Sequence, residues 1–232
     1  MPKTAELKKI LYIIICIFAI SGNSKAEEWK FDLTDAYTSR KVGEDKYEMT
    51  FNKDVLDYYL EKIGPHAGLY PPVFKDKEER KFIEEQLKAL ISFLETATNG
   101  RANPELLWRY GWALSMGHNL DFPGSAQKAI KTFDKVLSID PDHVWATYLY
   151  GVFLSSTGLK DKSIPLLEKS IKNGIKGAKR YLVPVYLAGE STRPRAIKLL
   201  EEYVQDFPED EQSKHLLKAL KSGNVRFENR YK

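Results

Sequence analysis

Four residues in the middle of the chain carry the side chains best suited to chemistry: His118, Asn119, Leu120 and Asp121. A histidine and a carboxylate this close could share a metal ion or activate a water. His143, flanked by Asp140 and Asp142, is a third donor if the fold returns it to the same place. A protein metal site needs three or four converging ligands, and no second histidine lies in the turn itself. His118, Asp121 and His143 are therefore weak metal candidates, and the competing reading has Asn119 and Asp121 capping amides in a tight turn. Other chemistries lack their residues. There is no Gly-x-Ser-x-Gly elbow, no His-Glu-x-x-His helix and no glycine-rich phosphate loop. The acidic pairs Glu84-Glu85 and Glu201-Glu202 are neighbours in sequence and point apart on a helix. No catalytic residue and no cofactor is assigned, and the expectation is a protein that is not an enzyme.

Aromatic residues form the second distinctive set. Trp108, Tyr110 and Trp112 crowd one segment, and Trp145, Tyr148 and Tyr150 crowd another. Residues one or two apart on a helix cannot share a face. Tyr110 and Tyr150 are assigned to the core between helices. Trp108, Trp112, Trp145 and Tyr148 are the candidates for contact with a partner, since aromatics concentrate at binding hot spots.

The chain that must position these residues has 232 residues, 43% hydrophobic and 29% charged, with a net charge of +4. Such a composition folds. A single cysteine excludes an internal disulfide and a cysteine-based zinc site. Residues 1–26 read as a cleavable signal peptide. Lys3, Lys8 and Lys9 precede the apolar run Ile10 to Ile20, and Ser24-Lys25-Ala26 supplies a small-x-small end. The alternative is an uncleaved N-terminal anchor in the inner membrane. Cys16 sits mid-run after three isoleucines, which departs from a lipoprotein pattern. Removal of residues 1–26 takes away four lysines and one glutamate and leaves a net charge of +1. No charge argument for a nucleic-acid partner remains. The expected location is the periplasm.

The second half repeats with a period near 34 residues. Ala129, Ser163 and Ala196 open equivalent segments, each followed by an apolar neighbour and then by Phe133, Leu167 and Leu200 four residues on. Pro141 and Pro208 follow the first and third segments. Each segment is preceded by another at helical spacing, with Gly111, Gly151 and Gly158 among its residues. A unit is thus a helix, a turn and a second helix, with small residues allowing close approach.

On these residues the chain resembles the tetratricopeptide repeat family over 104–221. The matches are Gly111, Ala129, Phe133 and Pro141, then Gly151, Gly158 and Leu167 with Ser163 in place of alanine, then Ala196, Leu200, Tyr203 and Pro208. The segment Ser170 to Leu187 also resembles Sel1-like repeats. The first unit departs by about six extra residues between Met116 and Ala126. Pro184 is expected to kink its helix and Pro165 to occupy a first turn. The resemblance implies an all-α superhelix whose first helices line a concave groove for a protein or peptide.

Outside the repeats, 76–98 reads as an amphipathic helix paired with the one opening at Asn103-Pro104-Glu105, as an irregular N-terminal unit. Residues 27–75 read as an extension with a weak strand at Lys46 to Phe51, a short helix at Asp54 to Ile63 and an extended Pro-rich linker at Gly64 to Pro72. The repeat domain spans 76–221, with its last helix at about Glu209 to Leu220 covering the final apolar face, and 222–232 is a C-terminal tail carrying Phe227 and Tyr231. The functional expectation is an exported adaptor or scaffold of the cell envelope. One alternative is a metal- or small-ligand-binding protein or enzyme using the His118 turn. Another is a structural subunit docking through 27–75.

Overall fold

The computed structural model describes residues 29–100 and 102–223. The signal reading at 1–26, with Cys16, and the aromatics of the tail lie outside the described residues. The fold is all-α, with ten helices and one two-stranded hairpin among the described residues. It divides into two compact units at Pro141 and Asp142.

The first unit begins with a short helix α1 (Leu33–Ala36), whose cap Asp32 accepts a hydrogen bond from the Thr34 amide. The hairpin β1 (Tyr37–Lys41) and β2 (Tyr47–Phe51) follows, antiparallel, with Tyr37 opposite Phe51 and Lys41 opposite Tyr47. Alternation puts Tyr37, Met49 and Phe51 on one face. The rings of Tyr37 and Phe51 each lie 6.1 Å from Phe93, which anchors the base of the hairpin. Trp29 and Phe31 extend this cluster, at 5.3 Å from Phe82 and 4.8 Å from Tyr59.

Four longer helices complete the unit: α2 (Lys53–Ala67), α3 (Lys77–Thr98), α4 (Pro104–Asn119) and α5 (Ser125–Ile139). Side-chain caps start the first three. Asn52, Asp76 and Asn103 each accept an amide of the first turn, and Pro104 follows its cap where a missing N–H costs nothing. Three contacts, each between residues 52 apart, join α2 to α4: Lys53 to Glu105, Asp57 to Arg109, and the Asn119 amide to the Ala67 carbonyl. A constant offset means that α2 and α4 run parallel, with α3 returning between them. Helix α3 packs on α4 more than on α2, and α4 packs in turn on α5. Gly64 to Ala67 correct an expectation, since these residues form the last turn of α2 and not an extended linker.

The second unit contains α6 (Val144–Ser155), α7 (Lys160–Lys172), α8 (Ala178–Leu187), α9 (Arg193–Asp206) and α10 (Glu211–Lys221). Helices α6 and α7 pair, α8 and α9 pair, and α10 packs on α9. Pro184 lies inside α8, a helix of only ten residues. Pro165 falls in the second turn of α7, one turn later than expected.

The same packing rule closes one pair in each unit. A Cβ built on Gly111 would lie 2.8 Å from the Phe133 ring, and one on Gly151 would lie 3.0 Å from Leu167. Phe133 and Leu167 are fully buried, as are Ala129, Ser163 and Ala196; Leu200 and Tyr203 are nearly so. Pro141, Gly158 and Pro208 are exposed. Among the described residues no helix is long and apolar enough to cross a membrane.

Candidate interaction surfaces

In the first unit the parallel helices α2 and α4 present a charged seam. The Arg109 guanidinium has only 5% of its side-chain surface exposed. It donates to both carboxylate oxygens of Asp57, at 2.6 and 2.7 Å, and to the Glu105 carbonyl at 2.6 Å. It also lies 4.2 Å from the centre of the Trp108 ring. Planar bidentate pairing and stacking are what arginine does best. Burial pushes the Asp57 carboxyl up by more than the Arg109 hydrogen bonds pull it down. One turn along α2, burial and then the Asp57 charge push Glu61 up to about 7.

Trp108 is 4% exposed, so this candidate for partner contact is a packing residue. Its ring is 6.3 Å from Trp112, nearly parallel, and Trp112 is half-buried. Residues four apart on a helix share a face, and here the one beside Arg109 became the inner of the two.

In the second unit the aromatic set belongs to α6 and α8. Tyr148 is 3% exposed, which corrects its expected place on the surface. Burial, followed by the neighbouring Tyr181 phenol, holds the Tyr148 hydroxyl well above its ordinary value. Around it the edges remain accessible. Trp145 is half-buried at 6.3 Å from Tyr148, and Tyr181 is half-buried at 6.2 Å, both nearly perpendicular to it. Edge-to-face packing of this kind fixes ring orientation. Tyr181 was not singled out in the sequence as a contact residue. It sits 33 residues after Tyr148, so the repeat period was the signal that pointed to it.

A polar network borders this row. Arg180 reaches Asp210 at 3.5 Å, and the Tyr203 hydroxyl donates to the same carboxylate at 3.1 Å. Burial of Asp210 acts against ionisation, but the Ser213 amide and hydroxyl, with Arg180, outweigh it and hold the carboxyl low. Beside it Lys179 contacts Asp206 at 2.9 Å and Glu202 at 3.2 Å. Tyr110 and Tyr150 are each 7% exposed.

The His118 turn looks different from a ligand site. Asn119 uses its amide to donate to Ala67 and does not cap the turn. Asp121 adopts a left-handed backbone, φ 60°, and is exposed. His143 caps α6, its Nδ1 accepting the Ala146 amide at 3.2 Å. Among the described residues no three His, Cys, Asp or Glu side chains converge to hold a metal ion.

No family model matches the chain, and no curated protein matches it. Two solved structures of MamA are similar to it. One is the RS-1 ArsTM double mutant, 25% identical, covering 62% of this chain and 79% of that one with a TM-score of 0.53. The other is MamA 41-end from Desulfovibrio magneticus RS-1, 26% identical, covering 62% and 80% with a TM-score of 0.52. The likeness places the chain among all-α helical-repeat proteins of tetratricopeptide-like fold.

Proposed function

We propose that the protein is an exported adaptor or scaffold of the cell envelope that holds a protein or peptide segment against its first-position helices. The observation that carries this reading is the row Trp145, Tyr148 and Tyr181 on α6 and α8. Its central ring is buried and its flanking residues are partly exposed beside Arg180. A buried ring that fixes two accessible ones is a preformed apolar contact with a polar border, which suits capture of a segment without chemistry. Trp112 offers a similar edge in the first unit.

Photo-crosslinking residues placed at 112, 145 and 181 in intact cells test the reading. One recurrent envelope protein should be captured from these positions, and Trp145→Ala with Tyr181→Ala should remove it while the protein remains folded. Crosslinks confined to residues 27–75 would transfer the role to the N-terminal region, whose hairpin exposes Val42 and Tyr47. N-terminal sequencing of the mature protein checks export, with Glu27 expected as the first residue.

A further inference from the structure

Among the described residues the apolar face of the last helix is only partly covered. Ser213 is the only buried residue of α10, while Leu216, Leu217, Ala219 and Leu220 are half-buried. Between α9 and α10 an open groove of about 470 Å³ is lined by Val204, Lys214, Leu217, Lys218, Lys221 and Ser222. Lys214, Lys218 and Lys221 follow one another at helical spacing, so they form a single stripe along the groove. Lys214 contacts Glu211 at 2.7 Å and Lys221 contacts Glu201 at 2.6 Å. Lys218 makes no ion pair among the described residues.

We propose that the α9–α10 groove is a second interaction surface, which takes an acidic amphipathic segment of another protein. Val204 and Leu217 would receive its apolar face, and the lysine stripe its carboxylates. Charge selects this occupant. Residues 224–232 contain Arg226, Arg230 and Lys232 against Glu228, so the chain's own tail repeats the sign of the groove. A second copy pairing groove to groove would set lysine against lysine, with the same repulsion. A membrane surface favours a helix whose apolar and basic residues protrude, whereas these line a concavity. A groove with an apolar floor and a charged rim fits a helix laid along it. The surface is independent of the aromatic row on α6 and α8.

The test uses the purified protein and a fluorescein-labelled synthetic helix of about 18 residues, long enough for five turns. Leucines occupy one face and glutamates the other; a copy carries lysine for glutamate. Fluorescence anisotropy should show saturable binding of the acidic helix and none of the basic one. Lys218→Glu, a change at an exposed position, should weaken binding severalfold, and Leu217→Asp by about tenfold or more. Retention of partner capture at 145 and 181 in both variants keeps this proposal separable from the one above. Several results would overturn it. These are equal binding of both helices, binding unchanged by Lys218→Glu, and selective binding to phosphatidylglycerol vesicles instead of the peptide. A large gain on deleting residues 224–232 would assign the groove to the tail. A concentration-dependent dimer abolished by Leu217→Asp, with no peptide binding, would assign it to a second copy.

Discussion

The two units share one packing scheme and differ in how many partners each sheltered charge has. Residues 29–141 carry sixteen basic and eighteen acidic side chains, and residues 142–223 carry thirteen and ten. In the first unit a single cation is sunk between two parallel helices. Arg109 is nearly enclosed, and Asp57, Glu105 and the Trp108 ring surround it. In the second unit the sheltered charges are shared, with Lys179 enclosed beside Asp206 and with Asp210 also sheltered. Asp206 lies between Lys176 and Lys179, and Asp210 is gripped by Arg180, Tyr203 and Ser213. Loss of Lys179 leaves Lys176 on Asp206. Among the described residues Asp57 has no second cation in place of Arg109.

The largest effects should come from what the units share. Phe133→Ala and Leu167→Ala each empty a fully buried site against a glycine. The expected costs are about 4 and about 3 kcal/mol. Hydrogen exchange should show the loss of protection mainly in α4/α5 for the first and in α6/α7 for the second. Uniform loss across both units would show that they unfold as one body and would remove the distinction.

The electrostatic contrast gives a smaller and more pointed difference. Arg109→Met strands Asp57 in a seam with 23% of its side chain exposed, at an expected cost of about 3 kcal/mol. Lys179→Met leaves Lys176 on Asp206 and should cost about 1 kcal/mol. Denaturant melts of the two variants decide the matter; equal costs would contradict the account of redundancy.

The smallest effect is a pH dependence confined to the first unit. Glu61 titrates at about 7 in the folded protein and at its ordinary value of 4.5 without burial. The folded state therefore holds more protons between those values, and stability falls as pH rises through that window. Glu61→Gln should be more stable than the parent above pH 7 by about 1 kcal/mol, a figure reduced for its half-solvated position. The gain should vanish near pH 4. A gain independent of pH would mean that Glu61 acts by packing and not by charge.

Much of the helical framework was legible in the chain. The acids after Asp76 and the apolar period through Leu94 located α3, and Asn103-Pro104-Glu105 located the start of α4. The 33- to 34-residue period exposed the pairs from Ala129 onward. The end of α2 was hidden because Gly64 and Pro65 read locally as breakers. The helix continues past them, and Asn119, 52 residues away, satisfies the Ala67 carbonyl at its end. The Arg109 seam was hidden for the same reason, as no local pattern announces an ion pair between distant turns.

The sequence by itself determined which segments are helices and the period at which they pair, because caps, glycines and apolar spacing act within a few residues of each other. Only the tertiary structure decided which aromatic of each set is inside. Trp108 and Trp112 have the same type, the same helix and the same face, yet they differ in burial because Arg109 is drawn over one of them by Asp57 of another helix. Tyr148 is enclosed for a like reason, by Tyr181 from the next pair. Burial is a property of what packs against a residue, and those neighbours come from parts of the chain that local spacing does not reach.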